Sequence, residues 1–236
     1  FVIGATLVAF GTSLPEMAAS MTASYNLKSD MAVANVVGSV VFNITLVLGS
    51  VFLISKTMVP NRDLFLLDSA WVIVPLILFL IMIQDSKISR IDGALYLLLM
   101  LSYLIFLFTN SRDDLEGDID EDLIKEKFSW GKSVVLLMIG FVLTIGGANF
   151  VVESGTNIAR AFNVSEWIIG LFLIALGTSL PELVVSLVAI KKGNAEMSIG
   201  NIIGSNVANF SMVLGSAALV NPLFVDLNDT KFDIMI

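Results

Sequence analysis

The sequence predicts an all-α integral membrane protein made of two inverted repeats, and three observations carry that prediction. Apolar residues make up 56% of the 236-residue chain and the mean hydropathy is +0.90, more than a soluble core of this length has use for. Seven stretches are long and apolar enough to cross a bilayer, which takes about 20 residues at 1.5 Å rise each. Two separate motifs also recur in one register, from Gly11 to Gly177 and from Asn35 to Asn201, an offset of 166 in both cases.

The seven stretches are 1–25, 31–54, 64–84, 93–110, 132–152, 167–190 and 197–220. Backbone polar groups find no water in lipid, so each is expected to be a helix. The first holds "GTSLPE" (Gly11–Glu16) and the sixth repeats it at Gly177–Glu182; within each stretch that glutamate is an isolated charge in an apolar run. The second stretch holds "NVVGSVVFNITLVLGS" (35–50), which matches "NIIGSNVANFSMVLGS" (201–216) of the seventh at 9 of 16 positions. The third, fourth and fifth carry no repeated motif. Short polar turns separate the stretches at 26–30, 84–92 and 191–196, and the longest break, 110–132, is strongly acidic. The expected organisation is a first repeat half over 1–110, an acidic loop over 111–131 and a second half over 132–236.

Five helices lie between the start of one copy and the start of the next. Five is odd, so the copies cross the membrane in opposite directions. Inverted repeats of this kind mark secondary transporters, whose site lies at the repeat interface near the bilayer midplane. The duplication also leaves gaps: one spanning segment before Phe1 and two after the second copy have no counterpart, so a fragment is expected. Lys and Arg favour a cytoplasmic acidic loop, with eight on that side against five on the other.

Chemistry follows from the motif. Proline lacks an N–H and clashes with the carbonyl four residues back, so Pro15 and Pro181 free the carbonyls of Gly11 and Gly177 and disturb those of Thr12 and Thr178. Bare carbonyls at membrane depth are tolerated where they line a polar cavity. Beside them stand the hydroxyls of Thr12, Ser13, Thr178 and Ser179 and the carboxylates of Glu16 and Glu182. Carbonyl, hydroxyl and carboxylate oxygens suit hard cations. On the partner helices, Asn35, Ser39 and Asn43, and again Asn201, Ser205 and Asn209, are spaced by four, which lines them along one helix face. Glu182 lies eight residues from the nearest helix end, about 12 Å at 1.5 Å per residue, too deep for its side chain to reach water.

Plainer readings exist for each feature alone. A membrane proline is often only a kink, Ser and Asn often only bond between helices, and Gly38, Gly49, Gly204 and Gly215 are expected to be packing residues. The chain has no cysteine and no histidine, which removes thiolate and imidazole metal sites and histidine-based nucleophiles. "DIDEDL" in the acidic loop lacks the glycine and terminal glutamate of an EF-hand and reads as solvated charge. An intramembrane hydrolase has no GxSxG elbow to support it. A passive channel fits an enclosed acidic pocket less well than an occluded site does.

"GTSLPE" followed by "GS-x-x-x-N", in inverted copies, resembles the sodium/calcium exchanger branch of the calcium/cation antiporter superfamily, and the short central loop resembles its prokaryotic members. The resemblance implies ten transmembrane helices in two inverted sets of five, of which this chain would hold about seven, the second through the eighth. It implies exchange of Ca²⁺ for Na⁺ by alternating access across a cell membrane, with no enzymatic activity and no cofactor. The partners implied are Ca²⁺, Na⁺ and the lipid bilayer, with no nucleic acid. Residue by residue, it implies that Glu16 and Glu182 coordinate Ca²⁺ and that the carbonyls of Thr12 and Thr178 complete that site. Ser13, Ser39, Ser179 and Ser205, with the carbonyls of Ala9 and Ala175, match flanking sodium positions, and Asn43 and Asn209 match the central pair. Several exchangers have aspartate at one of that pair, whereas this chain has asparagine at both. The pocket then carries two negative charges, enough for one Ca²⁺. Coupling to H⁺ instead of Na⁺ is the alternative reading at this point.

Overall fold

A computed structural model of the chain describes residues 8–55, 64–114 and 130–225. A helical turn over 8–12 breaks at Ser13 and resumes as α1 (Leu14–Tyr25). Then follow α2 (Ser29–Ile54), α3 (Leu64–Met82), α4 (Arg90–Asp114) and α5 (Trp130–Ala161). The second copy of the broken helix is α6 (Ile169–Thr178) and α7 (Leu180–Lys191), bent by 42° at Ser179. Last comes α8, which runs Ala195–Ala208, passes through a π-helical turn at Asn209–Val213 and ends in Leu214–Val220.

Each expected stretch within the described residues is helical, with two differences at the ends. Helix α4 continues past 110 to Asp114, and α5 reaches Ala161 rather than 152. Bilayer thickness sets only the minimum length of a span, and a helix satisfies its own backbone as well in water as in lipid. The remainder of the acidic loop, with "DIDEDL", lies outside the described residues.

Burial is inverted relative to a soluble protein. Leu53 is 89% exposed, Phe150 74% and Leu143 70%, whereas Glu16 and Glu182 are 0% exposed. Such exposed Leu and Phe faces suit hydrocarbon, and the polar side chains turn inward. Between α2 and α6 the backbones approach closely at glycine. A Cβ on Gly38 would lie 2.6 Å from the Ala175 Cβ, and one on Gly204 would lie 2.8 Å from the Ala9 Cβ. These two contacts are equivalent under the 166-residue offset, so the same small-residue crossing holds both copies. Gly93 and Gly215 bring α4 and α8 together in a similar way, each built Cβ falling 2.8–2.9 Å from the other's carbonyl oxygen. Gly49 differs from the expectation for it. Nothing among the described residues lies within 4 Å of its Cβ position, so it packs no helix there.

Three of the connections meet on one face. Ser24 Oγ at the end of α1 donates to the Ala217 carbonyl (2.7 Å) and accepts from the Asn221 N–H (3.2 Å). After α8, Pro222 forbids further helix, and the chain runs extended as β2 (Leu223–Phe224). It pairs antiparallel with β1 (Lys87–Ile88) in the turn after α3, with Ile88 opposite Leu223. Sequence patterning anticipated no strand, because two residues are too short to show a period. The connections after α1, α3 and α8 therefore share one side, as alternating membrane crossings require.

Candidate ion-binding site

The site begins with two broken helices. Ser13 and Ser179 adopt the same backbone conformation, φ −85° and ψ 2°, in the sparsely used bridge region between helix and strand. Proline one position into the next helix makes this break local: Pro15 and Pro181 sit in the first turns of α1 and α7, where a missing N–H costs nothing. The ladder picks up from the Met17 N–H to the Ser13 carbonyl (3.1 Å) and from the Leu183 N–H to the Ser179 carbonyl (3.2 Å). Glu16 and Glu182 follow directly, both in a first turn, where the helix dipole favours negative charge.

The two copies then interlock. Ser179 Oγ donates to Glu16 Oε1 at 3.2 Å, and Ser13 Oγ donates to Glu182 Oε1 at 3.3 Å. Each carboxylate is thus held by the serine of the opposite repeat. Thr12 Oγ1 lies 3.5 Å from Ser205 Oγ, and Thr178 Oγ1 lies 3.3 Å from Asn35 Oδ1. Asn35 Nδ2 donates to Ser20 Oγ (2.9 Å) and to the Glu16 carbonyl (3.4 Å). Asn201 Nδ2 does the same for Ser186 Oγ (3.1 Å) and the Glu182 carbonyl (3.4 Å). These amides pin the backbone beside each carboxylate.

The twelve residues singled out from the sequence are all buried: Ala9, Thr12, Ser13, Glu16, Ser39, Asn43, Ala175, Thr178, Ser179, Glu182, Ser205 and Asn209. Several of their oxygens have no hydrogen-bond partner among the described residues, namely Glu16 Oε2, Glu182 Oε2, Ser39 Oγ, Asn43 Oδ1 and Asn209 Oδ1. An unsatisfied buried polar atom costs about 1–3 kcal/mol, so a group of them marks a place prepared for something other than protein. The carbonyls of Ala9 and Ala175 are different. Ala9 O accepts from Ser13 N–H (3.2 Å) and Thr12 Oγ1 (3.0 Å), and Ala175 O accepts from Ser179 N–H (3.0 Å) and Thr178 Oγ1 (3.3 Å).

Asn43 and Asn209 each stand where a helix changes to π-helical winding, at Asn43–Leu48 and Asn209–Val213. Such turns recur at functional positions because they re-aim side chains. Nothing in the sequence of α2 or α8 marks these turns. Ser20, Ser186 and Asn206 are further polar residues of the site that the repeated motifs do not single out. The first two lie four residues beyond Glu16 and Glu182, on the same helix face, so a search for i, i+4 polar continuations would have found them. Asn206 has Val40 as its counterpart in the first copy, so the repeat itself gave no signal for it.

Two half-broken helices from inverted repeats, joined through hydroxyl and carboxylate groups inside an apolar bundle, define a membrane secondary transporter. The chain belongs to the sodium/calcium exchanger family: the family model described as sodium/calcium exchanger protein matches residues 1–109 and 132–236. It is 39% identical over 227 residues to the uncharacterized membrane protein MJ0091 of Methanocaldococcus jannaschii, covering 96% of this chain and 72% of that protein. It is 31% identical over 262 residues to the sodium/calcium exchanger MaX1 of Methanosarcina acetivorans, covering 95% and 75%. Among solved structures, the sodium-calcium exchanger NCX_Mj soaked with 10 mM Na⁺ and zero Ca²⁺ superposes with a TM-score of 0.75 at 36% identity, over 100% of this chain and 76% of that one. The chain is accordingly a multi-pass membrane antiporter of this family and not an enzyme.

Proposed function

We propose that this chain exchanges Ca²⁺ for Na⁺ across a cell membrane, using Glu16 and Glu182 as the two carboxylates that both ions share. The observation that carries the reading is the interlocked pair: two fully buried glutamates, each fixed through one oxygen by the opposite repeat and each with its other oxygen unpartnered. In this reading the free Oε2 atoms, Ser39 Oγ and the Asn43 and Asn209 oxygens form the cation shell, with the carbonyls of Thr12 and Thr178 released at the breaks. Hard cations prefer such a set, and its neutral oxygens supply ligands without further charge. The Ala9 and Ala175 carbonyls serve Na⁺ by sharing the lone pairs that now face Thr12 and Thr178.

Exchange then needs no separate coupling device. Ca²⁺ and Na⁺ require the same carboxylates and exclude one another. One Ca²⁺ neutralises the two charges, and a loaded pocket crosses an apolar barrier that an empty, doubly charged one does not. Sliding of peripheral helices against the fixed site switches its exposure between the two sides. The Lys and Arg distribution, eight against five, supports a cytoplasmic acidic loop. Sodium as the coupling ion is supported by the names of the relatives.

The test is radioactive Ca²⁺ uptake by the full-length protein in sealed proteoliposomes, driven by an outward Na⁺ gradient at two clamped membrane potentials. Uptake that requires internal Na⁺ is expected. Uptake indifferent to Na⁺ and driven by a pH gradient would overturn the sodium assignment and make the two glutamates proton carriers.

A further inference from the structure

The two central asparagines are not equivalent, although the repeat places them symmetrically. Asn43 Nδ2 donates to Asn206 Oδ1 at 3.1 Å, and Asn43 Oδ1 is left without a partner among the described residues. Asn209 has neither amide atom partnered. The difference traces to one position: the residue after the GS pair is Asn206 in the second copy and Val40 in the first. Valine offers no acceptor, so the first copy returns nothing to Asn209.

An amide has two faces of opposite sign. Its oxygen attracts a cation and its NH₂ repels one, and the two interchange by a half-turn of the last side-chain torsion. For a buried asparagine beside a cation, whatever fixes that torsion also fixes whether it is a ligand. We infer that Asn206 is a positioning residue: by accepting from Asn43 Nδ2 it turns the Asn43 oxygen toward the cation, making Asn43 the fixed amide ligand and Asn209 the adjustable one. This rests on the ion site proposed above. It adds that the chain divides two tasks between paired positions. Asn43 supplies a pre-oriented oxygen whose ordering is complete before the ion arrives. Asn209 re-orients as ions of different size and number exchange.

The experiment is a double-mutant cycle in the full-length protein reconstituted in proteoliposomes, with the KM for Ca²⁺ as readout. Asn206→Val installs the residue that the first copy already carries. It is expected to raise the KM about tenfold, the scale of one lost oriented hydrogen bond. In the Asn43→Asp background either orientation presents an oxygen, so the same Asn206→Val change is expected to shift the KM less than twofold. A merely structural role for Asn206 would carry the same penalty into both backgrounds, and that result overturns the inference. So does an unchanged KM in the Asn206→Val single variant. Asn206→Gln keeps a neutral amide oxygen as acceptor for Asn43 Nδ2 and is expected to recover most of the affinity that valine loses; if the valine variant fails to elute as a monodisperse species, a tenfold rise in Asn206→Gln overturns the inference instead. Glu16→Gln serves as the control on the site itself. Loss of transport there with a neutral Asn206→Val defeats only the positioning role, whereas retained transport in Glu16→Gln defeats the ion site on which it rests.

Discussion

Replacing Glu182 by glutamine removes one formal charge from the site while keeping its shape and the acceptor for Ser13 Oγ, which sits 3.3 Å from Oε1. Packing is therefore expected to survive, and the effect to be electrostatic. With both glutamates ionised, one Ca²⁺ gives a neutral occupied pocket; with one, the occupied pocket carries +1. A single charge at the centre of a membrane helix costs about 2.5–3.5 kcal/mol on insertion scales. At about 1.4 kcal/mol per factor of ten, that is a loss of roughly two orders of magnitude in Ca²⁺ flux. The two glutamates make matching contacts with the opposite repeat, so Glu16→Gln is expected to lose as much. The assay is initial-rate radioactive Ca²⁺ uptake into proteoliposomes containing equal amounts of each protein, with detergent gel filtration as the check on folding. A well-folded Glu182→Gln variant retaining a third or more of the wild-type rate would refute the reasoning, because no shared-carboxylate site survives so lightly.

Three further outcomes follow from the same contacts. Pro181→Ala restores an N–H four residues after the Gly177 carbonyl and is expected to straighten the break at Ser179, leaving thermal stability in detergent equal or higher while uptake falls at least tenfold; unchanged uptake would show that the break is not needed. Gly204→Ala places a methyl group 2.8 Å from the Ala9 Cβ, so overpacking of about 1–3 kcal/mol is expected, read as a lower melting midpoint, whereas Gly49→Ala, helical and with open space around it, is expected to hold or raise the midpoint. Ser24→Ala removes the donor to the Ala217 carbonyl and one of the two acceptors of the Asn221 N–H, which keeps the Ala217 carbonyl at 3.2 Å, a loss of about 0.5–1.5 kcal/mol that fluorescence-detected melting reads directly, with Ca²⁺ KM unchanged because the pair lies away from the glutamates.

Much of this protein was legible without coordinates, and the reason is the apolar background. In a chain where polar side chains are costly, every one that interrupts a spanning run stands out, so Glu16, Glu182 and the stripes Asn35–Ser39–Asn43 and Asn201–Ser205–Asn209 announced themselves. Helical winding then placed each stripe on one face, and the odd number of crossings between copies required their inversion. Proline marked the breaks, since its missing N–H is a local fact. What the tertiary structure alone decided are the contacts between residues more than a hundred positions apart. Ser13 reaches Glu182 and Ser179 reaches Glu16, an exchange that depends on how the two broken helices cross and not on any pattern along either. The Gly38–Ala175 and Gly204–Ala9 contacts, which seat each broken helix against the polar-stripe helix of the other repeat, are steric and carry no periodic signal. The π-helical turns at Asn43 and Asn209, the short strand pairing after α3 and α8, and the hold of Asn206 on Asn43 also arise from packing. Sequence symmetry made the two central asparagines look alike; only the folded chain, with asparagine beside one and valine at the matching position, makes them different.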